Sequence, residues 1–260
     1  MVLGRLPTSG GPSSGSPDLT PKSAPRKTPT HHAKAPVPIV ALDFPDSQAA
    51  LRMVEVLGDS CRFYKVGSEL FTAAGPQVVQ ALRALGNDVF LDLKFHDIPN
   101  TVRGAARSAA AMGAKMVTVH ASGGRQMIEA AVEGAGASCS VLGVTVLTSF
   151  DAATLRSATG AKTVELSGEV LRLAGECAAA GAYGVVCSGL EAGKIRAKYG
   201  DKLRLVIPGI RAAGGKRDDQ KRAVTAAEAA KAGATYIVLG RMVTQAADPR
   251  AELRLAIGSI

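Results

Sequence analysis

From residue 37 onward the chain alternates, eight times over, between a short apolar run and a longer alanine-rich segment. The runs fall at 37–42, 63–66, 89–93, 116–120, 141–147, 184–187, 203–207 and 236–239. They are dominated by Val, Ile and Leu with few polar interruptions, the pattern of strands covered on both faces. Between them, stretches such as 47–57, 75–85, 100–112, 123–133, 164–180, 190–199 and 225–232 carry apolar residues at helical spacing. Gly86, Gly113, Gly181, Gly200 and Gly233 stand where those helices would end. Parallel strands need a crossover between them, and a helix is its usual form. The repetition therefore predicts an α/β protein, a (β/α)8 TIM barrel, with an open doubly wound sheet as the alternative. No GxGxxG follows the first run to favour a dinucleotide fold. A chain of 260 residues, 47% of them apolar, suits one barrel domain over 37–260.

Barrels of this kind gather functional groups at the C-terminal ends of their strands. Here those ends carry Asp43, Lys65, Asp92 with Lys94, His120, Thr148 with Ser149, Ser188, Arg211 and Arg241. His120 and Ser188 are the two best explained by satisfying nearby backbone groups, and they are set aside. The third run is the most informative. Asp92 and Lys94 interrupt it, and side chains two apart on a strand share a face. Asp97 follows just before Pro99, which forces the chain out of regular structure. Two carboxylates around a lysine are either a structural ion pair closing the strand or a catalytic cluster, since desolvated charges must pair and gather where chemistry is done. After the seventh run, Pro208-Gly209-Ile210-Arg211 and a glycine-rich continuation suit a phosphate, as do Gly240 and Arg241 after the eighth.

The string DLKFHDIPNT at 92–101 is far more specific than an Asp-x-Lys pair. It is joined by VALD at 40–43, KVG at 65–67, VTVLTS at 144–149, PGIR at 208–211, DQ at 219–220 and GR at 240–241. In these motifs, which run in order through 37–258, the chain resembles the bacterial form of the orotidine 5′-phosphate decarboxylase family. The resemblance implies metal- and cofactor-independent conversion of orotidine 5′-phosphate to UMP, the last step of pyrimidine biosynthesis. It assigns catalysis to Lys94, Asp92, Asp97 and Lys65, with Lys94 protonating C6 of the pyrimidine. Substrate contacts are implied for Asp43, Ile98, Thr101, Thr148, Arg211, Gln220, Gly240 and Arg241, and more loosely for Ser149. It further implies a homodimer in which Asp97 reaches the neighbouring subunit's site; a cytoplasmic location is expected separately, from cysteines that suit reduced, packed thiols. The family pattern Gly-Ile-Arg-Pro-x-Gly is here Gly-Ile-Arg-Ala-Ala-Gly, which loses a proline but no ligand.

That chemistry suits the residues. Loss of CO2 leaves an electron pair on C6 that no adjacent carbonyl delocalises. A fixed ammonium beside it stabilises the charge and then supplies the proton, and flanking carboxylates favour the charged lysine. The rival within the same group of barrels is a Mg2+-dependent sugar-phosphate decarboxylase or aldolase, which would want a Glu at a second strand end where this chain has Lys65. The other class of reading is a nucleotide- or RNA-binding scaffold. The net charge of +9 gives it little support, because aromatics are only 4% and no basic-aromatic alternation offers a stacking surface.

Residues 1–36 are rich in Pro, Gly, Ser and Thr, with Arg5, Lys22, Arg26, Lys27 and Lys34 against Asp18 alone. Their composition predicts a disordered extension, such as a linker, a targeting segment or a tag. No apolar run approaches the ~20 residues that span a bilayer, so neither a membrane nor a nucleic-acid partner is expected. Cys61, Cys139, Cys177 and Cys187 have no C-x-x-C spacing, and no Cys/His cluster suggests a metal.

Overall fold

The computed structural model describes residues 35–211 and 222–260. Eight strands are present: β1 (Val37–Ala41), β2 (Phe63–Gly67), β3 (Asp88–Phe95), β4 (Met116–His120), β5 (Ser140–Val144), β6 (Gly184–Val186), β7 (Arg204–Ile207) and β8 (Tyr236–Leu239). They are parallel and close in sequence order, with β1 pairing β8 through Val37–Tyr236 to Val40–Leu239. That last pairing excludes the open sheet and makes the fold a (β/α)8 barrel.

The crossovers supply α1 (Ser47–Leu57), α2 (Ser68–Ala74), α3 (Gln77–Ala84), α4 (Pro99–Ala111), α5 (Arg125–Ala135), α6 (Ala152–Thr159), α7 (Leu166–Ala179), α8 (Gly189–Tyr199), α9 (Ala226–Lys231), α10 (Arg241–Thr244) and α11 (Pro249–Gly258). The short α2, α6 and α10 were not legible as periodic segments, because helices of eight residues or fewer hold too few apolar positions to define a stripe. α6 is instead marked by its cap, Asp151 Oδ1 accepting from Thr154 N at 2.8 Å. The five glycines expected at helix ends all have positive φ, between 55° and 88°. An L side chain is strained there, so each ends its helix and turns the chain toward the next strand.

The apolar residues form two separate cores. One lies between the strands and the surrounding helices and is built from alternate strand residues such as Val40, Val66, Leu91, Val117 and Leu239 together with the inner faces of the helices. The other fills the barrel: Ile39, Ala41, Phe63, Phe90, Met116, Leu142, Val206 and Val238. This packed plug makes the barrel a solid support rather than a pore. Among the described residues, no helix is long and apolar enough to cross a membrane. Of the tail expected over 1–36, residues 1–34 lie outside the described residues.

Candidate active site

Strand periodicity carries the interior plug upward into the site. Two residues beyond Ala41, Phe63, Phe90, Met116, Leu142, Val206 and Val238 come Asp43, Lys65, Asp92, Thr118, Val144, Pro208 and Gly240. Side chains two apart share a face, so this layer stands on the plug and faces the barrel axis. Above it opens a cavity of about 720 Å3, lined among others by Asp43, Lys65, Asp92, Lys94, Thr148, Arg211, Gly240 and Arg241. Its size suits a small polar ligand.

On the β1–β3 side the charges alternate. Lys65 Nζ lies 2.9 Å from Asp43 Oδ1 and 3.7 Å from Asp92 Oδ2, and Lys94 Nζ lies 2.9 Å from Asp92 Oδ2. The side chains of Lys65 and Asp92 retain only 13% and 12% of their exposure, so this is no solvated surface pair. Burial alone would raise the Asp92 carboxyl. The Lys65 and Lys94 ammoniums, with hydrogen bonds from Lys94 and Thr118, outweigh burial and hold it below the usual carboxylate range. Asp92 is thus an anion at neutral pH. Gly67 belongs to the same arrangement: a Cβ there would sit 2.9 Å from Lys65 Nζ and 3.2 Å from Asp43 Oδ1, against the pair itself.

The same-face expectation for Asp92 and Lys94 needs one correction. β3 is not regular at this point: its register against β4 jumps from Leu91–Val117 to Phe95–Val119. Lys94 sits at φ 52°, the sole non-glycine residue with positive φ among those described. Such a conformation costs about 1–3 kcal/mol and persists only where its surroundings hold it. Here Lys94 N donates to Thr118 Oγ1 at 2.9 Å, and Thr118 Oγ1 donates to Asp92 Oδ1 at 3.0 Å. The two charges meet because of a bulge, not because of plain alternation.

The β7–β8 side carries the cationic end. Gly209, at φ 77°, turns the chain after β7. Arg211 N then donates to Val224 O at 3.0 Å, and Val224 N to Gly209 O at 3.3 Å, which pins the loop carrying Arg211. A Cβ at Gly240 would meet nothing within 4 Å among the described residues, and Gly240 lines the cavity. Arg222 was not singled out from the sequence. It is buried, with Nη1 2.8 Å from Glu191 Oε1, and its Nη2 donates to Val146 O and Leu147 O just before Thr148. The signal was absent because all three partners lie far away in the chain.

Other expected site residues stand apart from the cavity. Asp97, Ile98 and Thr101 are exposed at the β3–α4 junction and do not line it. Asp97 Oδ1 accepts from Ile98 N at 2.6 Å and, among the described residues, makes no ion pair, so within one chain it does not flank Lys94 as a second carboxylate. Ile98 leaves 66% of its surface open. Ser149 is also exposed and outside the lining. Gln220 and Asp219 lie outside the described residues. Ser188 does serve the backbone: it caps α8 by accepting from Leu190 N at 3.2 Å and donates to Arg222 O at 3.1 Å. The His120 ring lies 5.5 Å from that of His96, and burial together with His96 and Lys94 lowers its pKa.

Residues 36–256 match the family model described as orotidine 5′-phosphate decarboxylase / HUMPS family. The chain is 52% identical over 214 residues to an orotidine 5′-phosphate decarboxylase of Anaeromyxobacter sp. (strain K), covering 82% of this chain and 93% of that protein. It is 50% identical over 220 residues to one of Halorhodospira halophila, covering 82% and 91%. Among solved structures, the orotidine 5′-phosphate decarboxylase of Lactobacillus acidophilus superposes with a TM-score of 0.77 at 38% identity, covering 87% of this chain and 99% of that one.

Proposed function

The chain belongs to the orotidine 5′-phosphate decarboxylase / HUMPS family, and from that premise we propose that it converts orotidine 5′-phosphate to UMP by electrostatic and proton-transfer catalysis centred on Lys94. The observation that carries this reading is the chain of alternating charges, Asp43–Lys65–Asp92–Lys94, at the floor of the cavity, with Lys65 and Asp92 largely buried at its centre. In the reaction the bond between C6 and the carboxylate carbon breaks and CO2 departs. The electron pair stays on C6 and takes a proton from the Lys94 ammonium, which solvent then restores. Asp92, held ionised, keeps Lys94 aimed at C6 and stands close to the departing carboxylate. The site is preorganised, so little reorganisation is needed as charge develops. Asp43 and Lys65 face the ribose, Thr148 the pyrimidine, and Arg211 with Gly240 and Arg241 the phosphate.

The same reading assigns Asp97 to the site of a second copy, with Ile98 and Thr101 beside it, in a homodimer. Exposure of all three at the rim of β3 supports that assignment. It also locates the enzyme in the cytoplasm, and the four buried, unpaired cysteines accord with a reducing compartment. The direct test follows the loss of orotate absorbance with orotidine 5′-phosphate in excess EDTA. Turnover is expected without added metal; a rate that EDTA abolishes would instead favour the Mg2+-dependent sugar-phosphate chemistry.

The phosphate assignment has its own test. Arg241→Ala is expected to lower kcat/KM for orotidine 5′-phosphate by about 3 kcal/mol, the scale of losing a charged hydrogen-bonding partner. With the unphosphorylated nucleoside the same substitution is expected to cost almost nothing. Equal losses on both substrates would make Arg241 a support of the fold rather than a phosphate ligand.

A further inference from the structure

We propose that Thr118 is a positioning residue of the decarboxylation, its buried hydroxyl holding the Asp92 carboxylate and the bulged backbone of Lys94 in their working geometry at once. The inference rests on the reading of Lys94 as the proton donor.

Thr118 lies mid-strand on β4 and is fully buried. A hydroxyl has one proton and two lone pairs. Here the proton goes to Asp92 Oδ1 at 3.0 Å and a lone pair receives Lys94 N at 2.9 Å. Both bonds join elements that the ladder leaves loose. Between Leu91–Val117 and Phe95–Val119 the backbone register of β3 and β4 is broken, and Thr118 is the β4 residue facing that break. Its side chain therefore replaces a backbone partner for the amide of a residue with φ 52°. By occupying Oδ1, it also leaves Oδ2 to meet Lys94 Nζ at 2.9 Å and Lys65 Nζ at 3.7 Å.

Thr118 does not line the cavity, so it acts through Asp92 and Lys94 and not on the substrate. Valine has nearly the same shape without the hydroxyl. If Thr118 merely packs, Thr118→Val is harmless; if it positions, the substitution leaves a buried amide and a carboxylate oxygen unpartnered and frees both groups to move. Displacements on the order of 1 Å at a catalytic group cost about a hundredfold in rate.

The test compares Thr118→Val with Thr118→Ser, which keeps the hydroxyl. For Thr118→Val, kcat is expected to fall roughly a hundredfold with KM little changed, while Thr118→Ser stays close to wild type. The acid limb of the kcat profile is expected to move to higher pH in Thr118→Val alone. The Thr118 hydrogen bond is one of the influences that lower the Asp92 carboxyl, and the groups left facing it are Lys65 from β2, Lys94 from β3 and His120 from β4. A Thr118→Val enzyme with wild-type kcat and an unmoved acid limb overturns the proposal, as does a Ser variant as slow as the Val one. Should Thr118→Val fail to fold by circular dichroism, Thr118→Ala against Thr118→Ser gives the same contrast, since both lose the methyl and only one loses the hydroxyl. A wild-type protein that does not decarboxylate orotidine 5′-phosphate would sink the proposed activity and this proposal together. An active wild type with an active Thr118→Val variant sinks this proposal alone.

Discussion

Lys94→Ala is expected to lose at least about 10⁴-fold in kcat, the combined scale of a lost proton donor and a lost charge beside the developing carbanion. The geometry gives no substitute. Lys65 is the other ammonium near Asp92, but it is already held at 2.9 Å by Asp43 and stands 3.7 Å from Asp92 Oδ2. Binding should respond far less, because the contribution of Lys94 is realised as charge develops on C6, not in the ground state. UMP is the ligand to titrate, since it lacks the carboxylate whose own repulsion by Asp92 would confuse the comparison; its affinity is expected to change less than about tenfold. A variant that kept a tenth of the wild-type rate would remove Lys94 from the proton-donor role. Loss of UMP binding in step with kcat would mark it as a binding or structural residue instead.

Mixing two dead proteins should restore activity. Lys94→Ala and Asp97→Ala homodimers are each expected to be nearly inactive. After subunit exchange, one site of each heterodimer combines intact Lys94 from one chain with intact Asp97 from the other. Random exchange of equal amounts makes about half the dimers mixed with one working site each, so about a quarter of wild-type activity is expected. The motive is geometric: Asp97 is exposed and pairs with no lysine of its own chain among the described residues, and beside it Ile98 exposes 66% of an apolar side chain. No recovery after exchange confirmed by native mass spectrometry would refute a shared site. An active Asp97→Ala homodimer would remove Asp97 from catalysis altogether.

Much of this protein was legible in one dimension because its units are local. An apolar run such as 236–239 becomes β8 with the same bounds, and 47–57 becomes α1, since strand and helix each repeat over a few neighbouring residues. The order of eight units and the polar strand ends then placed Asp43, Lys65 and Asp92 together at the strand ends, and resemblance in the strings around them supplied the chemistry. What remained for the tertiary structure depends on partners distant in the chain. Closure of β1 onto β8 joins residues about two hundred positions apart. The break in register at Lys94 exists only relative to β4, so no local periodicity announces it, and a Thr between Val117 and Val119 reads as ordinary strand. Whether a strand-end residue faces the cavity is decided in the same way. Thr148 does and Ser149 does not, although they are adjacent, because both sit in the turn closed by Phe150 N donating to Leu147 O, and only the packing of that turn decides which side chain faces inward. Asp97 carries the same lesson furthest: its sequence neighbours are those of Lys94, yet three residues beyond the bulge it has turned out of the barrel and away from the lysines of the described residues.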